Sequence, residues 1–155
     1  MDVLNLNWTT VWSNLVLMGI AYALALPIGW NRERSARSAG LRTFPLVALA
    51  TCGFMLVGTD IFSDPIAHSR VLEGVITGMG FIGGGAILKG SKIVSGTATA
   101  ASLWATGAIG IAVAWHRFEI AILLSLLTFI TLQVAPEVKP MVNGNSDSDS
   151  ASEKD

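Results

Sequence analysis

Charge is what this sequence has least of. Asp, Glu, Lys and Arg together make 14% of its 155 residues, where a soluble domain carries about 25%. Hydrophobic residues make 52%, and the mean hydropathy is +0.58. That deficit excludes an ordinary water-soluble globule, because much of the chain never meets water. Cysteine is nearly absent as well. The single Cys52 lies in an apolar run, which excludes an internal disulfide and any zinc spacing, and it reads as a small buried residue. No basic patch is interleaved with aromatics, so nucleic acid is excluded as a partner. No nucleophile, base and orienting third group fall together, so neither an enzymatic reaction nor a cofactor is expected. No Lys or Arg precedes the first apolar run, so that run is read as retained rather than as a cleaved signal.

Five apolar stretches are present: Trp12–Trp30, Phe44–Phe62, Val71–Leu88, Thr97–Ala114 and Phe118–Val134. Each holds 17 to 19 residues. As helices they measure roughly 26–29 Å, close to the hydrocarbon thickness of a bilayer. The expected fold is therefore an all-α integral membrane protein, a compact bundle of about five transmembrane helices over residues 1–135. The third and fourth stretches are rich in Gly, Ala, Ser and Thr, which suits helices facing other helices. The polar residues 136–155 cannot bury a core and are expected to form a disordered cytoplasmic tail.

Orientation follows from where the basic residues fall. The segment after the first stretch carries Arg32, Arg34, Arg37 and Arg42. With that segment in the cytoplasm, Lys89, Lys92, Lys139 and Lys154 are also inside, and only Arg70 and Arg117 are outside. The N-terminus is then outside and the C-terminus inside. Trp8, Trp12, Trp30 and Trp115 fall near expected span ends, where amphipathic rings favour the headgroup region.

Gly78, Gly80 and Gly83 spell the G-x-G-x-x-G of a dinucleotide-binding turn. The context fails. That fingerprint needs a strand before it and an acid about 20 residues on, and no Asp or Glu occurs between Glu73 and Glu119. Helix packing is the better reading. Gly74 with Gly78, and Gly80 with Gly84, each form G-x-x-x-G. Gly74, Gly78 and Gly85 share one helical face, and Gly80, Gly83 and Gly84 another. Two bare faces would let two neighbouring backbones approach closely, with Val75, Met79, Ile82 and Ala86 left towards lipid. A gate or binding crevice is the other reading.

Few polar residues enter the spans. Glu73 lies near the outer end of the third, on the Gly80/Gly84 face. A charge deep in a membrane helix costs about 2.5–3.5 kcal/mol, so Glu73 either points into the bundle as a functional acid or sits at headgroup level beside Arg70. The cluster Arg32, Glu33 and Arg34 closes the first span. It either anchors topology, or Glu33 pairs with Arg42, next to Thr43, to fix a site for an anion or a partner. Thr97, Thr99, Ser102 and Thr106 line the fourth span and can bond across helices. Asp60, Asp64 and His68 recur every four residues, but Pro65 interrupts the spacing and no metal site is assigned.

Four segments are together distinctive: "PIGWNRER" at Pro27–Arg34, "AGLRTFPLVAL" at Ala39–Leu49, "VITGMGFIGGGAILK" at Val75–Lys89 and "GTATAASLWATGAIG" at Gly96–Gly110. In their order and spacing the chain resembles the MgtC/SapB family of bacterial inner-membrane proteins. The resemblance implies a five-helix bundle in the inner membrane and a role in adaptation to low magnesium. It also implies a relation to virulence and to restraint of the rotary ATP synthase. It carries the charged motif onto Arg32, Glu33, Arg42 and Thr43, the glycine motif onto Gly78, Gly80, Gly83 and Gly85, and the threonine motif onto Thr97 and Thr99. Asn31 and Glu73 depart from the family's commoner residues, and the prototype's soluble C-terminal domain has no counterpart in these residues. The expected function is a non-enzymatic regulator that binds another membrane protein, with the bilayer itself and a homodimer as further partners. The alternative is a small transporter or ion-conducting oligomer with a polar path near Glu33, Arg42 and Glu73.

Overall fold

The computed structural model describes residues 6–34, 39–89 and 94–149, the side chains of 88–94 and of 135 onward excepted. Five helices follow the five apolar stretches: α1 (Trp8–Arg34), α2 (Thr43–Ile61), α3 (Pro65–Gly85), α4 (Thr97–Ala114) and α5 (Phe118–Asp149). Between α3 and α4 stands a small antiparallel strand pair, β1 (Leu88–Lys89) and β2 (Val94–Ser95), with Leu88 opposite Ser95. The protein is thus a helical bundle with one short strand pair between α3 and α4. By length and composition α1, α2 and α4 suffice to cross a membrane, and Phe118–Val134 is a shorter apolar helix. The expected tail over 136–155 falls on residues whose side chains lie outside the described ones, as do Arg37 and Lys92.

Local chemistry sets the helix ends. Asp64 caps α3, its carboxylate accepting from Ile66 N at 3.1 Å, and Pro65 follows at the first helical position, where no N–H is needed. This moves the start of α3 six residues ahead of the apolar run. Gly96, at φ +89°, turns the hairpin into α4, with the Ala86 carbonyl packed where a Cβ would sit. The α4 end closes on His116 at φ 56°, with His116 N bonded to Val113 O and Arg117 N to Ala112 O. That is a Schellman closure with a non-glycine residue in the left-handed position.

α4 is the central helix. It buries 11 of its 18 residues, against two of 21 in α3. It touches all four other helices, whereas α3 leans mainly on α2 and α4. Small residues make this possible, since apolar lipid gives apolar side chains no drive to leave it and close van der Waals packing must hold the bundle. A Cβ on Gly110 would run into Thr51 Oγ1 and the Ala48 carbonyl and stand 3.0 Å from Cys52 N. One on Gly107 would stand 3.0 Å from Met79 Cε. Gly58 admits Val71 in the same way, joining the end of α2 to the start of α3.

Candidate functional site

Polar side chains near the end of α1 tie it to α4 and α5. Arg32, in the last turn of α1, donates from Nη2 to Thr99 Oγ1 at 3.1 Å. Thr99 is buried in the first turn of α4, so this bond ties the end of one helix to the start of another. One residue earlier, Asn31 Nδ2 donates to Gln133 Oε1 at 2.7 Å and ties α1 to α5. Further along, the Ser125 hydroxyl donates to Leu24 O at 2.7 Å, a second α5–α1 bond in the apolar interior. Every one of these contacts fixes a helix against a neighbour.

Glu33 has a different partner from the one expected. Its carboxylate accepts from Leu41 N at 3.0 Å, and Gly40 lies against it so closely that a Cβ there would overlap Oε2. Glu33 therefore clamps the connection into α2. No Glu33–Arg42 ion pair forms among the described residues. Among the described residues the one ion pair is Arg117–Glu119, at 2.6 Å and exposed on both sides. Arg34 stacks instead on the Trp30 ring, its guanidinium carbon 5.1 Å from the centroid, an exposed cation–π contact at the end of α1. Arg42 is exposed and Thr43 half-buried beside it at the start of α2.

The Ser102 and Thr106 hydroxyls of α4 are buried but turned onto their own helix. Ser102 donates to Ala98 O and Thr99 O, and Thr106 to Ser102 O. Thr97 is exposed at the helix start. Across the seam, Thr51 of α2 likewise donates to Val47 O and Ala48 O.

On α3 the structure reverses the expected faces. Met79 and Gly83 are the buried residues; Met79 packs on Gly107, and Gly83 faces Trp104 and Ala100. Val75 and Ala86 also pack against the core. The side assigned to lipid is therefore the packed side, Ile82 excepted, which is exposed. A Cβ on Gly74, Gly78, Gly80, Gly84 or Gly85 would meet nothing within 4 Å. Among the described residues, Gly83 is the one of the six glycines whose Cβ position meets neighbours, at ordinary packing distances of 3.5 Å and more. Glu73 is exposed, with Thr77, Gly80 and Gly84 on the same helical stripe, so it points out of the bundle rather than into it. It makes no ion pair with Arg70 among the described residues.

Glu33, Arg42 and Glu73 are not brought together. Gly58 against Val71 sets α2 and α3 antiparallel. Arg42 then lies at one end of the pair, and Glu73 is level with the far half of α2, on the order of 20 Å away at 1.5 Å per residue. At the far end, Asp64 is used as a cap, and His68 Nε2 lies 2.5 Å from Phe62 O. Among the described residues no group of three His, Cys, Asp or Glu is placed to hold a metal. Sequence reasoning noted Asn31 only as a departure from the family's commoner residue and missed Gln133 as its partner. Their signal was an amide near the end of each of two apolar runs.

A bundle of apolar helices fastened by polar bonds at one end defines the class, a multi-helix membrane protein. The chain matches the MgtC family over residues 18–141 and belongs to that family. It is 35% identical over 134 residues to Protein SrpB of Synechococcus elongatus, covering 74% of each chain. It is 35% identical over 127 residues to the Putative magnesium transporter YhiD of Escherichia coli, covering 77% of this chain and 58% of YhiD. To Protein MgtC of Salmonella typhimurium it is 30% identical over 123 residues, covering 79% of this chain and 52% of MgtC. It thus spans about three quarters of SrpB and little more than half of YhiD and MgtC. No solved structure matches.

Proposed function

We propose that this chain is a multi-pass protein of the bacterial inner membrane that acts, without an enzymatic reaction, by binding another membrane protein, in adaptation to low magnesium. The name of the relative YhiD and membership of the MgtC family support the link to magnesium. The observation that carries the binding reading is the division of labour among polar groups. Arg32, Asn31 and Glu33 are engaged in fastening helices, Thr99 accepts from Arg32, and the Ser102 and Thr106 hydroxyls return to their own backbone. The outer stripe of α3, with Glu73, Thr77, Gly80 and Gly84, is left bare. Two missing side chains on that stripe let a foreign helix approach closely. Its backbone and polar groups could then meet the Glu73 carboxylate inside the membrane.

The test is affinity recovery of the full chain from membranes in mild detergent after cross-linking. Wild type should recover a specific membrane protein, and the double variant Gly80→Leu, Gly84→Leu should lose it while melting like wild type. Recovery of the chain only with itself would replace the partner by a homodimer. The competing reading is conduction by a small transporter. It rests on the line of buried hydroxyls Thr99, Ser102 and Thr106 along α4. Flux of magnesium, other cations or protons through liposomes holding the purified chain would establish it; none would remove it.

A further inference from the structure

The helices α2 and α3 diverge around an open groove of about 940 Å³. Its walls are apolar along the length of α2, through Leu46, Ala50, Phe54 and Val57. On the α3 side Gly74 and Gly78 leave the floor bare, with nothing within 4 Å of where a Cβ would be. At one end the lining turns polar, with Arg42 and Thr43. Arg42 is exposed and no carboxylate pairs with it among the described residues.

We infer that this groove binds one anionic phospholipid, its phosphate on the Arg42 guanidinium and Thr43 hydroxyl and its acyl chains along α2. Two observations select this occupant. The first is depth. From Leu46 to Val57 the wall rises about 16 Å, close to the roughly 15 Å of one hydrocarbon leaflet. The second is charge. Among the described side chains at this end, Arg32, Arg34 and Arg42 face one acid, Glu33, whereas at the other end Asp60, Asp64 and Glu119 outnumber Arg70 and Arg117. A basic mouth on an apolar cleft between membrane helices suits an anionic headgroup. Among the described residues at this end, Arg32 is engaged by the Thr99 hydroxyl and Arg34 by the Trp30 ring, whereas Arg42 has no carboxylate against it, and a guanidinium takes phosphate oxygens in a fork.

The site is separate from the outer stripe of α3, so the two readings fail separately. Gly80→Leu with Gly84→Leu should keep the lipid, and Arg42→Gln should keep the partner. The experiment is native mass spectrometry of the delipidated full chain re-lipidated with phosphatidylglycerol or phosphatidylcholine. Wild type should retain one phosphatidylglycerol in preference to phosphatidylcholine. Arg42→Gln should cut that retention by at least about fivefold, on the general strength of one basic residue towards an anionic headgroup. Arg42→Lys should restore part of it. Gly78→Leu should displace the lipid by filling the floor, while Arg34→Gln, outside the groove, should change nothing. Equal retention of both lipids, or full retention by a folded Arg42→Gln, overturns the assignment. So does a photoreactive probe at Phe54 that cross-links to a protein chain and not to lipid.

Discussion

Gly110→Ala should destabilise this protein, although alanine is the better helix former. In a helix interior the replacement gains about 1 kcal/mol of propensity. At Gly110 the new methyl group would be driven into the Ala48 carbonyl and the Thr51 hydroxyl, with Cys52 N 3.0 Å away. Two of those three atoms belong to the α2 backbone, so α2 itself must move. Overpacking of this kind costs about 1–3 kcal/mol, and a rigid obstacle places it at the upper end. The net loss is then about 2 kcal/mol, or roughly 4–8 °C in melting temperature for a chain of this size. Gly84→Ala is the control, because nothing lies within 4 Å of its Cβ position. It should melt at the wild-type temperature or up to a few degrees above. Tryptophan fluorescence during heating in mild detergent reads both. If Gly110→Ala melts as high as Gly84→Ala, the close α2–α4 approach is wrong and the centre of the bundle must be redrawn.

Thr99→Val keeps the shape but removes the acceptor for Arg32, and should cost about 1–3 kcal/mol in the same melt. Glu33→Gln weakens the clamp on Leu41 N from charge-assisted to neutral and should cost about 1 kcal/mol; a larger loss would mean that Glu33 serves more than the loop. Cys52 is buried, so a membrane-permeant maleimide should leave it unmodified in the folded chain and label it only after unfolding. His116→Gly relieves a left-handed residue at the α4 closure and should raise stability by about 1 kcal/mol.

The helices were legible because apolar runs of membrane length are hard to mistake. Thr97–Ala114 matches α4 at both ends, and Thr43–Ile61 differs from the expected Phe44–Phe62 by one residue at each. The start of α3 was not legible from hydropathy, since a cap by Asp64 and a first-turn Pro65 extend a helix through residues that are not apolar. Which residues of α3 share a face was read from periodicity. Which face packs was not, because lipid and protein interior are equally apolar, and Met79 suits either. What decides it is Gly107 on another helix, which leaves the space Met79 fills. The same limit applies to Glu33. Charge alone suggests Arg42 as its partner, yet the turn at Gly40 presents the nearer Leu41 amide.

The most direct test of the functional account is growth in low magnesium of cells lacking their own copy, rescued by variants at matched membrane levels. The outer stripe of α3 is the working surface in this account. Gly80→Leu with Gly84→Leu should therefore fail to rescue while staying folded, and Gly84→Ala should rescue like wild type. Full rescue by the double leucine variant would contradict the account and move the function elsewhere on the chain.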